Sequence, residues 1–234
     1  MIAFLHPMLP NTIRPTVTTG LAVLLAAVVS GCSDEFESAE PTPEPPCHPT
    51  ELEDDFEGDQ ISLLWDTIAD TGTIGVAEGH GFAELSPNLP DQYLVMLTAR
   101  QYDLTGCNVW VEVPKVPASD VPAAVSLSVG LSPGNGGLFQ VTAGELAVGL
   151  VVNQNYEAGT QKSYDLAAHR WWRIRHEDGD LHFETSPDGQ QWELLLRSAS
   201  PAEPSAVTIG FVLQNWDPYD QPVRFEIDNL NLLP

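Results

Sequence analysis

The chain has 234 residues, with 33 Asp plus Glu against 9 Lys plus Arg and a formal net charge of −24 at pH 7. That balance excludes ordinary nucleic-acid binding and disfavours an anionic lipid surface, because phosphates would be repelled at every approach. It is compatible with high solubility and with divalent cations, and the length suits one or two domains.

Leu21 to Val29, LAVLLAAVV, is a continuous apolar run preceded by Arg14 as its only basic residue. Nine residues are too few to span a bilayer but suit the apolar region of a signal peptide. The run ends in Val-Ser-Gly-Cys, Val29 to Cys32, which resembles the lipobox of bacterial lipoprotein signal peptides. The resemblance implies that residues 1–31 are removed, that the Cys32 thiol takes a diacylglycerol, and that the exported protein partners the membrane through this anchor. Ser33 rather than Asp after the cysteine implies the outer membrane under the enteric sorting rule. The alternative is a plain secretory peptide cut near Gly31, with Cys32 an ordinary cysteine.

Ser33 to Pro46, SDEFESAEPTPEPP, is acidic, proline-rich and nearly free of apolar side chains. It cannot bury enough surface to fold, so residues 32–46 are expected to form a self-repelling tether. A single domain is expected over 47–234, where 28 acidic residues still face 8 basic ones. A domain of that size buries roughly 70% of its surface and needs no metal to fold. Cys47 and Cys107 form an even pair in an exported chain and are expected to be disulfide-bonded, two buried free thiols being the alternative. Two distant cysteines and scattered histidines lack the paired spacing of a zinc site.

The segments that follow read as strands: Tyr93 to Arg100, Cys107 to Val113, Ala123 to Ser132, Glu145 to Asn153 and Ala206 to Trp216. They are short, rich in branched or aromatic residues and separated by Gly, Pro, Asn and Asp, with 20 prolines and 18 glycines overall. No apolar period of 3.6 is sustained, so an all-β, antiparallel two-sheet sandwich or barrel is expected.

The stretch HRWWRIRHEDGDLHFETSPDGQQWELLLR, His169 to Arg197, fixes a register. A type I′ turn at Asp178–Gly179 sets Ile174 opposite Phe183, Trp172 opposite Thr185 and His176 opposite Leu181 on the inner face. The outer face then takes Arg173 opposite Glu184, Arg175 opposite His182 and Trp171 opposite Ser186, and a one-residue slip would scramble both faces. A loop at Pro187 to Gln190 would continue the ribbon with Thr185 opposite Trp192, Phe183 opposite Leu194 and Leu181 opposite Leu196. Trp172 and Trp192 are thus expected in the core and Trp171 outward. The Ser-Pro-Asp-Gly…Trp segment resembles a shortened Asp-box hairpin of bacterial sialidases, which is structural in that family.

Three segments together resemble concanavalin A-like jelly-roll domains. DDFEGDQISLLWDT, Asp54 to Thr67, is similar to their opening strand, in which Phe and Trp bracket an acidic, Gly-containing turn. The hairpin pair above is similar to their late strands, and VRFEIDNLNLL, Val223 to Leu232, to the closing strand that returns beside the first. The resemblance implies a jelly roll over most of 47–234, in a superfamily of lectins, laminin G-like domains and laminarinase- or lichenase-type hydrolases.

The retaining hydrolases of that fold place a nucleophile and an acid/base on one mid-chain strand in a pattern like Glu-Ile-Asp-x-x-Glu, so that both carboxylates reach the sugar. The one match is C-terminal, with Glu226, Ile227 and Asp228 in place and Asn231 where the second Glu would stand. No Gly-x-Ser-x-Gly elbow, oriented histidine or phosphate-cradling glycine loop occurs, and Ser132 to Phe139 reads as a hairpin loop. No complete catalytic constellation is present. Asp217 and Asp220, in WDPYD, put two carboxylates in a loop that suits calcium, although two acids at this spacing in an acidic protein are more often a solvated turn. A sugar binder needs exposed aromatic platforms, and the candidates are Trp216 with Tyr219, and Trp171. The reading favours an envelope-anchored, non-catalytic module for glycan or another envelope component. Its alternatives are a structural or protein-interaction lipoprotein without a sugar site, and a diverged glycoside hydrolase.

Overall fold

The computed structural model describes residues 49, 51–69 and 71–232. The signal segment, Cys32, the tether and Cys47 lie outside the described residues. Fourteen strands follow in chain order: β1 Trp65–Ala69, β2 Gly72–Ala77, β3 His80–Leu85, β4 Tyr93–Thr98, β5 Asn108–Lys115, β6 Ala123–Ser132, β7 Asn135–Thr142, β8 Glu145–Val152, β9 Asn155–Ser163, β10 Trp171–Glu177, β11 Asp180–Ser186, β12 Glu193–Ala199, β13 Thr208–Asn215 and β14 Val223–Asp228. A single 3₁₀ turn, Pro204–Ala206, is the only helical element among the described residues. Sheet I has the order β1-β4-β13-β6-β7-β8-β9, and sheet II the order β12-β11-β10-β5-β14-β3-β2. Every pairing is antiparallel.

Tight turns set much of this register. Four hairpins close on two residues that both have positive φ, the signature of type I′ turns whose twist matches the strands they join. They are Glu78–Gly79, Ala143–Gly144, Asn153–Gln154 and the expected Asp178–Gly179, where φ is 52° and 82°. The register of β10 with β11 is as the alternation predicts, from Trp171 opposite Ser186 to His176 opposite Leu181. The next pairing differs. A bulge between Phe183 and Glu184 sets Phe183 opposite Leu196 and Glu184 opposite Leu194, so the register expected for β12 is off by one at Thr185 and by two at Phe183 and Leu181, and Trp192 falls outside the strand. A bulge adds a residue that period-2 alternation cannot register.

The core lies between the sheets and is aromatic at its centre. Phe139 of sheet I stacks on Trp172 of sheet II at 5.5 Å between ring centroids and meets Phe183 edge-on at 5.6 Å. Phe211 bridges Trp65 and Phe225 in the same way. Buried Trp172 donates its Nε1–H to the His169 carbonyl at 2.9 Å, so its one polar atom is satisfied. Gly137 on β7 is required for this packing, since a Cβ there would sit 2.6 Å from the Phe183 ring. β7 begins at Asn135, so the hairpin loop expected from Ser132 to Phe139 is confined to Pro133 and Gly134. The closing strand β14 lies between β5 and β3, and the segment that follows it meets the opening segment at the bridge from Asp54 to Leu230.

Candidate functional site

The two sheets present outward faces of opposite character. On sheet II the outward residues of β10, β11 and β5 are charged or aromatic, yet largely buried. Glu184 is 6% exposed and accepts from Arg173 Nε at 2.6 Å and Arg175 Nη2 at 3.3 Å. Glu112 accepts from Arg170 and from Asn229 Nδ2 at 2.7 Å. Across the sheet Arg224 pairs with Glu226 at 2.7 Å and lies over the Phe82 ring, and Arg197 pairs with Asp180. With Lys115 near Glu226, six of the eight basic side chains of residues 47–234 are on this face. Most of these cations are engaged by acidic partners on the same face.

Trp171 points outward here as expected but is 3% exposed, and is therefore no open platform. Its partner Ser186 opens the 187–192 loop, which folds back onto the face, with Gly189 buried and donating its N–H to Ser186 Oγ at 2.9 Å. Asp188 Oδ1 accepts the N–H groups of Gln190 and Gln191, and those hydrogen bonds hold its carboxyl below the usual carboxylate range. The loop is thus closed by its own hydrogen bonds. It puts Trp192 over the Arg173 guanidinium at 4.0 Å. Trp192 is therefore on the outer face and not in the core, because the β12 bulge moved it.

His182 sits in this face between Arg175 and Arg197. Guanidinium groups only donate, so the 3.0 Å contact from Arg175 Nη2 requires a neutral His182 with an accepting Nδ1. Burial and the Arg175 charge push its pKa down. Buried His169 also has an accepting Nδ1, bonded by the Asp165 N–H, and its pKa is lowered by burial and then by Lys162. Unfolding lets both rings protonate near the ordinary value of about 6.5, so between that value and the folded values the unfolded chain holds more protons. Stability is thus expected to fall as pH drops through about 6.5. Thermal unfolding of wild type and of His169→Gln with His182→Gln over pH 7.5 to 5.5 checks this. A wild-type slope as flat as the double variant's would refute the assignment.

Sheet I is the reverse. Its outward residues run in cross-strand lines, one of which passes from Val95 through Val212, Ser126, Gln140 and Ala147 to Gln161. A second line sets Tyr93 opposite Gln214, then Ala124 and Thr142. No Lys or Arg occurs in either line. Ser126, Gln140, Thr142 and Gln214 are half-buried and make no side-chain hydrogen bond among the described residues, although their groups can donate and accept. Two exposed tyrosines flank the surface, Tyr93 at 43% and Tyr156 at 38%, the latter ring lying across Gly149. Gly130, Gly136 and Gly210 keep the surface between them low.

The sequence candidates border this face without forming its centre. Trp216 follows β13 and is half-buried, while Tyr219 packs against the core and is only partly open. Tyr93, beside Gln214, is the aromatic residue that sequence reading missed. Its signal was position: the first residue of an expected strand, in phase with Val95 and Leu97.

No family model matches the chain, and no curated protein matches it. Solved structures do. The β-glucanase of Bacillus licheniformis has 10% identity, with 76% of this chain and 95% of that chain covered at a TM-score of 0.58. A β-1,3-1,4-glucanase derived from a mouse hindgut metagenome has 12% identity, covering 76% and 96% at 0.55. The exoplasmic/lumenal domain of VIP36, in its Ca2+/Man3GlcNAc-bound form, has 11% identity, covering 71% and 84% at 0.51.

The fold is that of the concanavalin A-like lectins and glucanases. In this chain the Glu-Ile-Asp segment lies on β14, with its carboxylates engaged by neighbouring side chains. Glu226 is held by Arg224 and Lys115, and Asp228 lies 3.1 Å from His80 Nδ1. Burial raises the Asp228 pKa against the N–H of Asn229 and the His80 charge. Asn231, where the second Glu would stand, is 2% exposed; its Oδ1 accepts the Trp110 N–H and its Nδ2 donates to the Leu52 carbonyl. A concanavalin A-like lectin can be a calcium protein, as VIP36 is. Asp217 and Asp220 are exposed here, and no group of three or more His, Cys, Asp or Glu converges on a metal position among the described residues.

Proposed function

We propose that the domain is a non-catalytic glycan-binding module whose site is the outward face of sheet I. The observation that carries this reading is the combination of unpartnered neutral side chains, Ser126, Gln140 and Gln214, with the exposed Tyr93 ring beside them. Sugar hydroxyls need polar groups that the protein has not already used, and pyranose faces stack on aromatic rings. On sheet II most of the charges are paired, Trp110 and Trp171 are buried, and half-buried Trp192 is stacked on Arg173. The occurrence of the fold in glucanases and in a mannose-oligosaccharide-bound lectin domain supports the ligand class. The absence of Lys and Arg from the two cross-strand lines of sheet I, on a chain of net charge −24, favours a neutral glycan over an acidic one.

Calorimetric titration with β-1,3-1,4-glucan oligosaccharides and with a mannose disaccharide, each with calcium and with chelator, tests the proposal. Tyr93→Ala is expected to weaken binding about tenfold, or about 1.4 kcal/mol, by removing the stacking surface. Failure of both sugars to bind, or wild-type affinity in Tyr93→Ala, would discard it.

We also propose that the module is displayed on the cell envelope, anchored to the outer membrane by a lipidated Cys32 and the acidic tether, with Cys47 bonded to Cys107. Such a bridge would close a long loop and stabilise by about 4 kcal/mol in the chain-entropy account. Intact mass of the mature protein, before and after reduction and alkylation, decides both points. A chain starting at another residue, or two thiols alkylated without prior reduction, would overturn them.

A further inference from the structure

We infer that the buried amide pair Gln92 and Asn215 positions the two loops that border the Tyr93 end of the sheet I face, and so sets the affinity of that end. The inference rests on the glycan-binding reading above. Gln92 immediately precedes Tyr93 and Asn215 immediately follows Gln214, the two residues that face each other across β4 and β13. Each site residue is therefore one peptide bond from a member of the pair.

The pair is itself tightly joined. Gln92 N–H donates to Asn215 Oδ1 at 2.8 Å, and Asn215 N–H donates to the Gln92 carbonyl at 3.1 Å. From this junction both side chains reach into the loops. Gln92 Oε1 accepts from the Ser86 N–H and Thr71 Oγ1, while its Nε2 donates to the Ser86 and Leu89 carbonyls, each at 2.8 Å. Asn215 Nδ2 donates to the same Leu89 carbonyl at 2.8 Å and to the Asp217 carbonyl at 3.1 Å. The Asn88 N–H then donates to the Tyr219 carbonyl at 2.6 Å, tying the loops directly together.

Gln92 is 2% exposed and Asn215 6%, and every side-chain polar atom of both is satisfied. A buried polar network that is fully satisfied specifies one arrangement, whereas apolar filling of the same volume would only hide surface. The arrangement needs that help. Asn88 and Asp91 sit at φ of 63° and 53°, in the left-handed region that a residue with a side chain adopts less readily than the right-handed one. Held this way, the loops that carry exposed Leu89 and half-buried Trp216 are fixed before a ligand arrives, so binding need not order them.

The test uses the full chain with Asn215→Asp and, as a comparator, Tyr93→Ala. Asn215→Asp keeps shape and an acceptor but removes both Nδ2 donors and sets a carboxylate against two carbonyls. Titrated with β-1,3-1,4-glucan oligosaccharide, it should show Kd raised about tenfold at unchanged binding stoichiometry, since the folded fraction is intact and only the end of the site is disordered. Amide exchange should rise in residues 87–90 and 217–219 together and stay unchanged in β10 and β11. Acidification that protonates the new carboxyl should restore part of the affinity, because the neutral acid regains a donor, which general structural damage would not reproduce. Reduced stoichiometry at unchanged Kd would overturn the inference, as would loops that stay protected or loosen with no effect on Kd. Weakened binding in Tyr93→Ala alone would leave the glycan reading standing and remove the positioning role. Absence of wild-type binding to both the glucan oligosaccharide and the mannose disaccharide would remove both.

Discussion

Glu184→Ala is expected to lower the stability of the domain by about 3–5 kcal/mol, read as a fall in the urea midpoint at unchanged slope. The carboxylate is 6% exposed and is shared by two guanidinium groups, Arg173 at 2.6 Å and Arg175 at 3.3 Å. Removing it leaves both cations in a largely dry setting. Arg175 keeps Glu177, which is half-exposed and a weak substitute. Arg173 keeps only the face of Trp192 at 4.0 Å, a contact that contributes about 0.5–2 kcal/mol. The loss measures an orphaned charge and not the net contribution of the ion pair, so Arg173→Met combined with Glu184→Leu should recover most of it. By contrast, breaking the exposed pair of Arg100 with Glu51 should cost less than about 1 kcal/mol. A loss of that smaller size in Glu184→Ala would show that the charges of sheet II are hydrated and would reopen that face as a ligand surface.

This contrast between faces was only partly legible in the sequence. Alternation and the Asp-Gly turn were enough to set Arg173 opposite Glu184 and Trp171 on the outer side, because both are local properties of one hairpin. Exposure is not local. Trp171 lies on the outer side yet is 3% exposed, and the bulge after Phe183 breaks the period from which the position of Trp192 was inferred. Strands β2, β3, β7 and β9 were missed for a related reason: they contain glycines such as Gly75, Gly81 and Gly137, which read as turns. The structure uses these where Phe82, Phe56 and Phe183 approach the backbone. The sheet I site was hidden because its residues, Ser126, Gln140 and Gln214, are unremarkable singly. They become a surface only when strand order places β13, β6 and β7 side by side.

The opening motif was legible as a resemblance, and its chemistry yields the second large effect: Asp54→Ala is expected to cost about 2–4 kcal/mol. Asp54 Oδ1 accepts the Phe56 N–H at 3.0 Å, and Oδ2 accepts from Ser62 Oγ and Trp65 Nε1, both at 2.8 Å. Its backbone exchanges hydrogen bonds with Leu230 at 3.2 and 2.9 Å. One side chain thus folds the acidic turn, satisfies the indole of a tryptophan that is 6% exposed, and sits where the two ends of the domain meet. Hydrogen bonds to a charged acceptor contribute about 1.5–3 kcal/mol each but share one carboxylate, so the effects do not add fully. Part of the loss is strain. Phe56 holds φ at 50°, unusual for a bulky residue, while its ring stacks on Trp65 and fills the space over Gly81. Without the Asp54 acceptor nothing local favours that backbone, and the ring is expected to withdraw. Asp54→Asn retains an acceptor and should lose about half as much. Because Trp65 opens β1, an edge strand of sheet I, hydrogen exchange in Asp54→Ala should rise first in residues 65–69 and at Leu230. Uniform exchange at wild-type levels there would mean that the carboxylate is dispensable and that aromatic packing alone sets the motif.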